Sequence, residues 1–337
     1  MMKLGLLLCA ATAVAAIPDG SVSAEVRAQF DDFKLEFGKS YSPSEHEARL
    51  RIFAANVATA ESWNTGKGAT FGVTQYSDLT PDEFRARYTN YIAPEESTLE
   101  PLDVPDVDLS APEFSAVNWY GNLTTPVKDQ GHCGSCWAFS ATEQIESMWI
   151  KKYDRFQFIS KLSVQQIVSC DDDGHDKGCK GGNTETAYKY VESAGGMVHE
   201  HEYPYSSGTS GRTGECERRL VRPTYIRADI EKGMAVGKKD EVTMQRYVAS
   251  QGPLSICVNA QKWQHYKQGV LDLSQCPDKK TDHCVQIVGF NAGDPEDSYW
   301  IVRNSWNTTW GLGGFIHLSM GENTCDLASD PTTVIIK

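Results

Sequence analysis

The chain has 337 residues, of which 40% are hydrophobic and 23% charged, and its formal net charge is −13. That length exceeds one ordinary core and suggests two to three folding units, with the composition of a soluble globular protein. So acidic a balance argues against nucleic acid or an anionic membrane surface as partner. At the N-terminus, Lys3 precedes the apolar run Leu4–Ala16, which ends in Ala13-Val14-Ala15-Ala16. The run is too short to cross a bilayer and has the layout of a secretory signal, so residues 1–16 are expected to be removed. No later segment is apolar enough for a membrane helix. The remainder is expected in an oxidising compartment, lysosomal or extracellular. Sequons at Asn122-Leu-Thr124 and Asn307-Thr-Thr309 make Asn122 and Asn307 expected glycosylation sites there. Of ten cysteines, Cys9 leaves with the signal; an odd number remains, so at least one thiol is free or paired between chains.

Residues 24–64 contain little Gly or Pro, and Phe30, Phe33 and Phe37 recur at helical spacing. After the turn Ser42-Pro43-Ser44 a second helix is expected from about Ser44 to Trp63, with Ser44 and Glu47 in capping-box positions. On it Glu45, Arg49, Phe53, Asn56, Ala60 and Asn64 recur at steps of three or four and draw one stripe. A plain amphipathic helix explains the apolar members but not the polar ones. Residues 92–113 hold Pro94, Pro101, Pro105 and Pro112 among Glu, Asp and Ser. That composition predicts an extended linker, weakly structured and open to proteolysis. Cys136–Tyr153 reads as a long helix with Trp137, Phe139, Ile145 and Met148 inward, and Leu162–Cys170 and Thr184–Ser193 as shorter ones. Beyond about 220 the apolar runs are strand-like: Leu254–Val258, Val285–Gly289, Tyr299–Val302, Gly314–Leu318 and Val334–Ile336. Helical first, β-rich second: an α+β arrangement with a cleft between the two parts.

Residues 130–140 read Gln130-Gly-His-Cys133-Gly-Ser-Cys136-Trp137-Ala-Phe139-Ser140. A cysteine at a helix N-terminus meets unpaired N–H groups and the positive end of the macrodipole, which favour its thiolate. Alone, this C-x-x-C serves equally as a zinc knuckle, a redox pair or half of a disulfide. Hydrolysis of an amide needs a nucleophile, a base, a group orienting that base, and oxyanion donors. Cys136, His283 in Asp282-His283-Cys284-Val285, Asn304 in Arg303-Asn304-Ser305-Trp306, and Gln130 supply these roles without a metal or a cofactor. His283 follows Cys136 by 147 residues and Asn304 by 168. Cys-Gly-Ser-Cys-Trp is the known signature around the papain and cathepsin nucleophile, and the first spacing suits that family while the second is somewhat long. With D-H-x-V-x-x-V-G over 282–289 and N-S-W at 304–306, the chain resembles the papain-like cysteine proteases, of the cathepsin L type, over roughly residues 25–335.

The resemblance implies a two-lobed fold, with a helical N-terminal lobe and a β-barrel-like C-terminal lobe around a cleft, preceded by a helical propeptide. The stripe from Glu45 to Asn64 is similar to the E-R-F-N-I-N pattern of such propeptides, and Gly72, Thr74, Tyr76 and Asp78 loosely match a second one. Residues 17–110 are then an inhibitory propeptide whose tail runs through the cleft, and 111–337 the mature enzyme. The motifs imply disulfides Cys133–Cys179, Cys170–Cys216 and Cys276–Cys325; Cys257 and Cys284 are left to pair or to remain two buried thiols. Gly181 and Gly182 would bind substrate backbone, and Trp306 would cover the Asn304–His283 bond. Asn183, Thr184, Cys257, Cys284 and Asp330 would line the pocket for P2, the second residue before the scissile bond. Asp330 implies acceptance of a basic P2 residue. Asn307 stands where glycine is usual. Expected partners are peptide and protein substrates, the chain's own propeptide and cystatin-type inhibitors, with the protein a monomer. A catalytically silent relative would lack one of the four site residues, and a thioredoxin-type enzyme would leave His283 and Asn304 without a role.

Overall fold

Short polar side chains set the start of each N-terminal helix. The computed structural model describes residues 22–337 apart from 154–160, 173, 278 and 295–296; the expected signal with Cys9 lies outside the described residues. Helix α1 (Ala24–Glu36) begins where Ser23 Oγ accepts from the Val26 N–H, α2 spans Pro43–Trp63, and α3 spans Pro81–Tyr88 behind Thr80. The capping box of α2 lies two residues earlier than Ser44 and Glu47. The Ser42 N–H and hydroxyl both donate to Glu45, at 3.3 and 2.8 Å, and Pro43 takes the first helical position, where no N–H is needed. Helices α1 and α2 share a small core of Phe30, Phe33, Leu50, Phe53 and Val57, each such burial contributing about 1.5–3 kcal/mol.

The polar members of the α2 stripe fasten the helix to the chain that follows. Arg49 forks onto Glu83 at 2.7 and 2.9 Å. Asn56 Nδ2 donates to the carbonyls of Ser77 and Leu79, both at 2.8 Å, and Asn64 exchanges two bonds with the Phe71 backbone.

Three further helices build one lobe: α4 (Cys136–Tyr153), α5 (Val164–Cys170) and α6 (Thr184–Ala194), joined through Trp137, Ile145, Ile167, Tyr188 and Val191. Two more, α7 (Ser207–Ser210) and α8 (Glu241–Ser250), complete the set among the described residues. The strands are β1 (Thr70–Phe71), β2 (Glu100–Pro101), β3 (Ala116–Asn118), β4 (Met197–Val198), β5 (Ile226–Ala228), β6 (Ile230–Ala235), β7 (Leu254–Val258), β8 (Tyr266–Gln268), β9 (Val270–Leu271), β10 (His283–Asn291), β11 (Tyr299–Arg303), β12 (Phe315–Ser319) and β13 (Thr332–Ile336). The main sheet runs β2-β6-β13-β7-β10-β11-β12-β9, with β3 also on β10. It is an open path rather than the barrel-like closure expected. Pairing of β10 with β7 sets Cys284 opposite Cys257, and these two cysteines are bonded. The other disulfides are Cys133–Cys179, Cys170–Cys216 and Cys276–Cys325.

Residues 92–113 depart from the weakly structured linker expected of them. The Ile92 N–H donates to Gly182 O at 2.9 Å and the Leu102 N–H to Ala235 O at 2.8 Å, so β2 adds in parallel to the edge of β6. Pro101 lacks a donor, which an edge strand tolerates. Prolines and acids kept the segment extended, and its partner strand, more than 130 residues away, supplied the order. Among the described residues no helix is long and apolar enough to cross a membrane.

Candidate active site

Helix α4 opens on Cys136, the only free cysteine among the described residues, and its side chain is fully buried. The backbone groups of Asn90 and of Cys284, the residue after His283, bear on the thiol and favour its anion. His283 begins β10, and its Nε2 lies 2.8 Å from Asn304 Oδ1. That oxygen also accepts from the Ser305 N–H, so the network assigns the proton to Nε2 and leaves a lone pair on Nδ1. Nδ1 is buried with no hydrogen-bond partner among the described residues. Trp306 stacks on the imidazole with centroids 4.6 Å apart, and Trp263 meets it edge-on at 5.9 Å. Trp310 backs both indoles. Trp263 has no signal in the sequence: it sits between Lys262 and Gln264 in a polar stretch and carries no motif.

Gln130 is locked from one side. Its Oε1 accepts from Ser305 Oγ at 2.9 Å and Trp306 Nε1 at 3.0 Å. Its Nε2 thereby donates to the carbonyls of Cys133, at 2.9 Å, and Tyr88, at 3.1 Å. A peptide carbonyl from α3 thus lies on the amide expected to receive an oxyanion.

The chain after α3 crosses directly over these groups. Gly182 N donates to Asn90 O at 3.3 Å and Tyr91 N to Asp282 O at 2.9 Å, and Tyr91 bridges Gly182 in parallel. Gly181 has φ of +116°, and a Cβ there would collide with Asn90 O. Tyr91 is the residue sequence reading missed most plainly. Its ring is buried against Cys257 and Cys284, and its hydroxyl donates to Asp330 Oδ2 at 2.6 Å. The structure therefore brings Cys257, Cys284 and Asp330 together around one aromatic ring. Asn183 and Thr184 spend their polar atoms elsewhere: Asn183 caps α6 by accepting from the Thr186 N–H at 2.9 Å, and Thr184 Oγ1 faces Thr332 Oγ1 at 3.4 Å. Asn122 and Asn307 are both exposed. Asn307 has φ of +65°, a conformation that asparagine tolerates better than most residues.

Electrostatics differ from the expected low thiol pKa. Burial pushes the Cys136 thiol up to about 11, despite the backbone groups of Asn90 and Cys284. It pulls His283 down to about 4, against the support of Asn304. Under this cover burial disfavours both the thiolate and the imidazolium, because neither charge has water to solvate it. Burial also raises Asp330.

Comparison with known proteins meets this geometry. Residues 113–335 match the papain family cysteine proteases and residues 30–84 the cathepsin propeptide inhibitor domain. Cysteine proteinase 1 of Dictyostelium discoideum is 34% identical over 99% of this chain and all of its own. A cysteine proteinase of Trypanosoma brucei brucei is 38% identical over 95% of this chain and 70% of its own. Among solved structures, procathepsin L2 from the larval midgut of Tenebrio molitor is similar with a TM-score of 0.80 and 29% identity over 92% of this chain and 99% of its own. Stem bromelain precursor gives 0.79 and 30% over 93% and 99%. The chain belongs to the papain family of cysteine proteases, with its propeptide inhibitor domain attached.

Proposed function

We propose that this peptidase cleaves internal peptide bonds through Cys136, His283 and Asn304 once residues 17–110 are removed, leaving 111–337 as the mature enzyme. Three observations support it together: a free thiol opening a helix, the His283–Asn304 hydrogen bond, and an amide donor already holding a peptide carbonyl. With the cover gone, water reaches the site and a thiolate–imidazolium pair forms. The Cys136 sulfur attacks the scissile carbonyl carbon, and the oxyanion is held by Gln130 Nε2 and the Cys136 N–H. The imidazolium then gives its proton to the leaving amine. Water, deprotonated by His283, releases the acid product from the acyl-enzyme and restores the thiol. The sequence carries no histidine-bearing insertion of the kind that blocks the cleft in carboxydipeptidase relatives, which supports endopeptidase action. A monomer in the lysosome or outside the cell, open to cystatin-type inhibitors, fits this reading.

Acid releases the propeptide in this reading. His265 is buried beneath α2 and α3, beside a cavity of about 230 Å³ also lined by Trp63, Phe84, Arg85 and Lys262, and burial lowers it to about 4. A depressed pKa means the closed form binds fewer protons than the open one. Its stabilising contribution is therefore complete above 6.5 and is lost as pH falls toward 4. Glu83, lowered by Arg49, adds a second loss below about 4.5. Processing should accelerate steeply from pH 7 to pH 5 in the wild type and much less in His265→Phe. Equal pH profiles for the two would contradict this assignment.

For the P2 pocket, Tyr91 shows a ring seated on the disulfide with a donor reaching Asp330. An arginine side chain offers the same reach and a charged donor. A hydrogen bond to a charged group contributes about 1.5–3 kcal/mol, so Asp330→Ala should lower kcat/KM for an Arg-Arg substrate relative to Phe-Arg by roughly 10- to 100-fold. An unchanged ratio would dismiss Asp330 from specificity.

A further inference from the structure

Beyond the cleft, the propeptide continues as a strap, Leu99–Leu109, of alternating character. Leu99, Leu102, Val104, Val107 and Leu109 are half-buried, and Glu100, Asp103, Asp106 and Asp108 are exposed. Leu99 packs on the helical-lobe core and the other four on the β-rich core. The receiving surface is shaped for this segment. Gly233, in the middle of β6, keeps space for it: a Cβ there would lie 3.2 Å from Leu99 Cδ2 and 2.8 Å from the Tyr188 ring. Lys232 Nζ pairs with Glu100 at 2.5 Å and an Arg246 nitrogen with Asp106 at 3.1 Å. These are two cations placed to face acids on a chain of net charge −13. None of this covers Cys136; Glu100 lies nine residues past Tyr91.

We propose that the β6 edge becomes, after maturation, a second docking site for protein substrates: it takes an extended acidic segment with alternating apolar residues as an added strand. The proposal rests on the protease reading and on the strap leaving with the propeptide. Departure strips β6 of its outer neighbour, and an open edge with unpaired backbone groups is a template for strand addition. The run from the Tyr91 pocket to β6 is one continuous path, so a substrate held in the cleft reaches the edge on the pocket side. Engagement of both sites raises effective concentration and favours long acidic substrates over short ones.

The test uses acid-matured enzyme and a fluorescent peptide of the sequence LEPLDVPDVDL, this chain's own residues 99–109. Saturable binding is expected, weakened about tenfold or more by Lys232→Glu with Arg246→Glu, while kcat/KM for a dipeptide substrate is unchanged in that variant. A quenched-fluorescent long peptide carrying these residues on the pocket side of its scissile bond, in reversed order to match a substrate's opposite chain direction, should be cut several-fold faster than one with its four acids made amides. That advantage should vanish in the double variant. Absent binding, binding indifferent to the charge reversals, or equal turnover of the two long peptides would overturn the proposal. Wild-type enzyme inert toward the dipeptide substrate would instead defeat the protease reading, with peptide binding still reporting on the edge.

Discussion

Replacing His283 with alanine should cut peptide turnover by roughly 10³–10⁴-fold, with KM little altered. In the proposed mechanism the imidazole does two things: it holds the sulfur as an anion and protonates the leaving amine. Asp282 is the adjacent titratable group, but its Oδ1 is engaged by the Ala260 N–H at 2.8 Å. Asn304 orients the ring through a single 2.8 Å bond, and Trp306 already fixes the ring plane. Asn304→Ala should therefore cost less than His283→Ala. Steady-state kinetics on the acid-matured variants checks both. A His283→Ala enzyme within about tenfold of wild type would show that another base operates.

Truncating Phe84 should open the zymogen. Phe84 is 1% exposed and packs against Tyr76, Tyr88 and Trp306, with centroids 5.2–5.4 Å away. This aromatic cluster joins α3 to the indole lying on His283, and α3 delivers Tyr88–Ile92 across Cys136. Phe→Ala in such a core costs about 3–5 kcal/mol. At about 1.4 kcal/mol per decade, the open population rises at least roughly a hundredfold. The intact Phe84→Ala zymogen at pH 7 should thus react with a small thiol reagent at Cys136 at least about a hundredfold faster than wild type. Leu35→Ala, at a position 83% exposed, should leave the rate unchanged within about twofold. Equal rates for Phe84→Ala and wild type would show that the cover is held by other contacts.

The candidate catalytic residues were legible because each sits in a short motif whose chemistry is local: a cysteine opening a helix, a histidine opening a strand, an amide between arginine and serine. The long helix Cys136–Tyr153 and strands β7 and β11 followed from apolar runs that tertiary contacts only reinforced. What escaped depended on distant partners. Helix α3, of eight residues, and strand β6, interrupted by Gly233, have weak periodicity. Strand β2 contains a proline and is held where the N–H of Leu102, the residue after it, donates to Ala235 O. Tyr91 borders a run of prolines and acids, and nothing local marks it as the occupant of the Asp330 pocket. The raised thiol pKa was likewise invisible, since it comes from a cover contributed by another part of the chain. Pairing of Cys257 with Cys284 stayed open until the register of β7 on β10 set them side by side.

Titration of the acid-matured protein with an epoxide thiol inhibitor bears most directly on the central claim. One equivalent should abolish peptidase activity, and mass spectrometry should find the single adduct on Cys136. Cys136→Ser should neither react nor cleave. Full activity after labelling, or an adduct on any other residue accompanying its loss, would contradict Cys136 as the nucleophile.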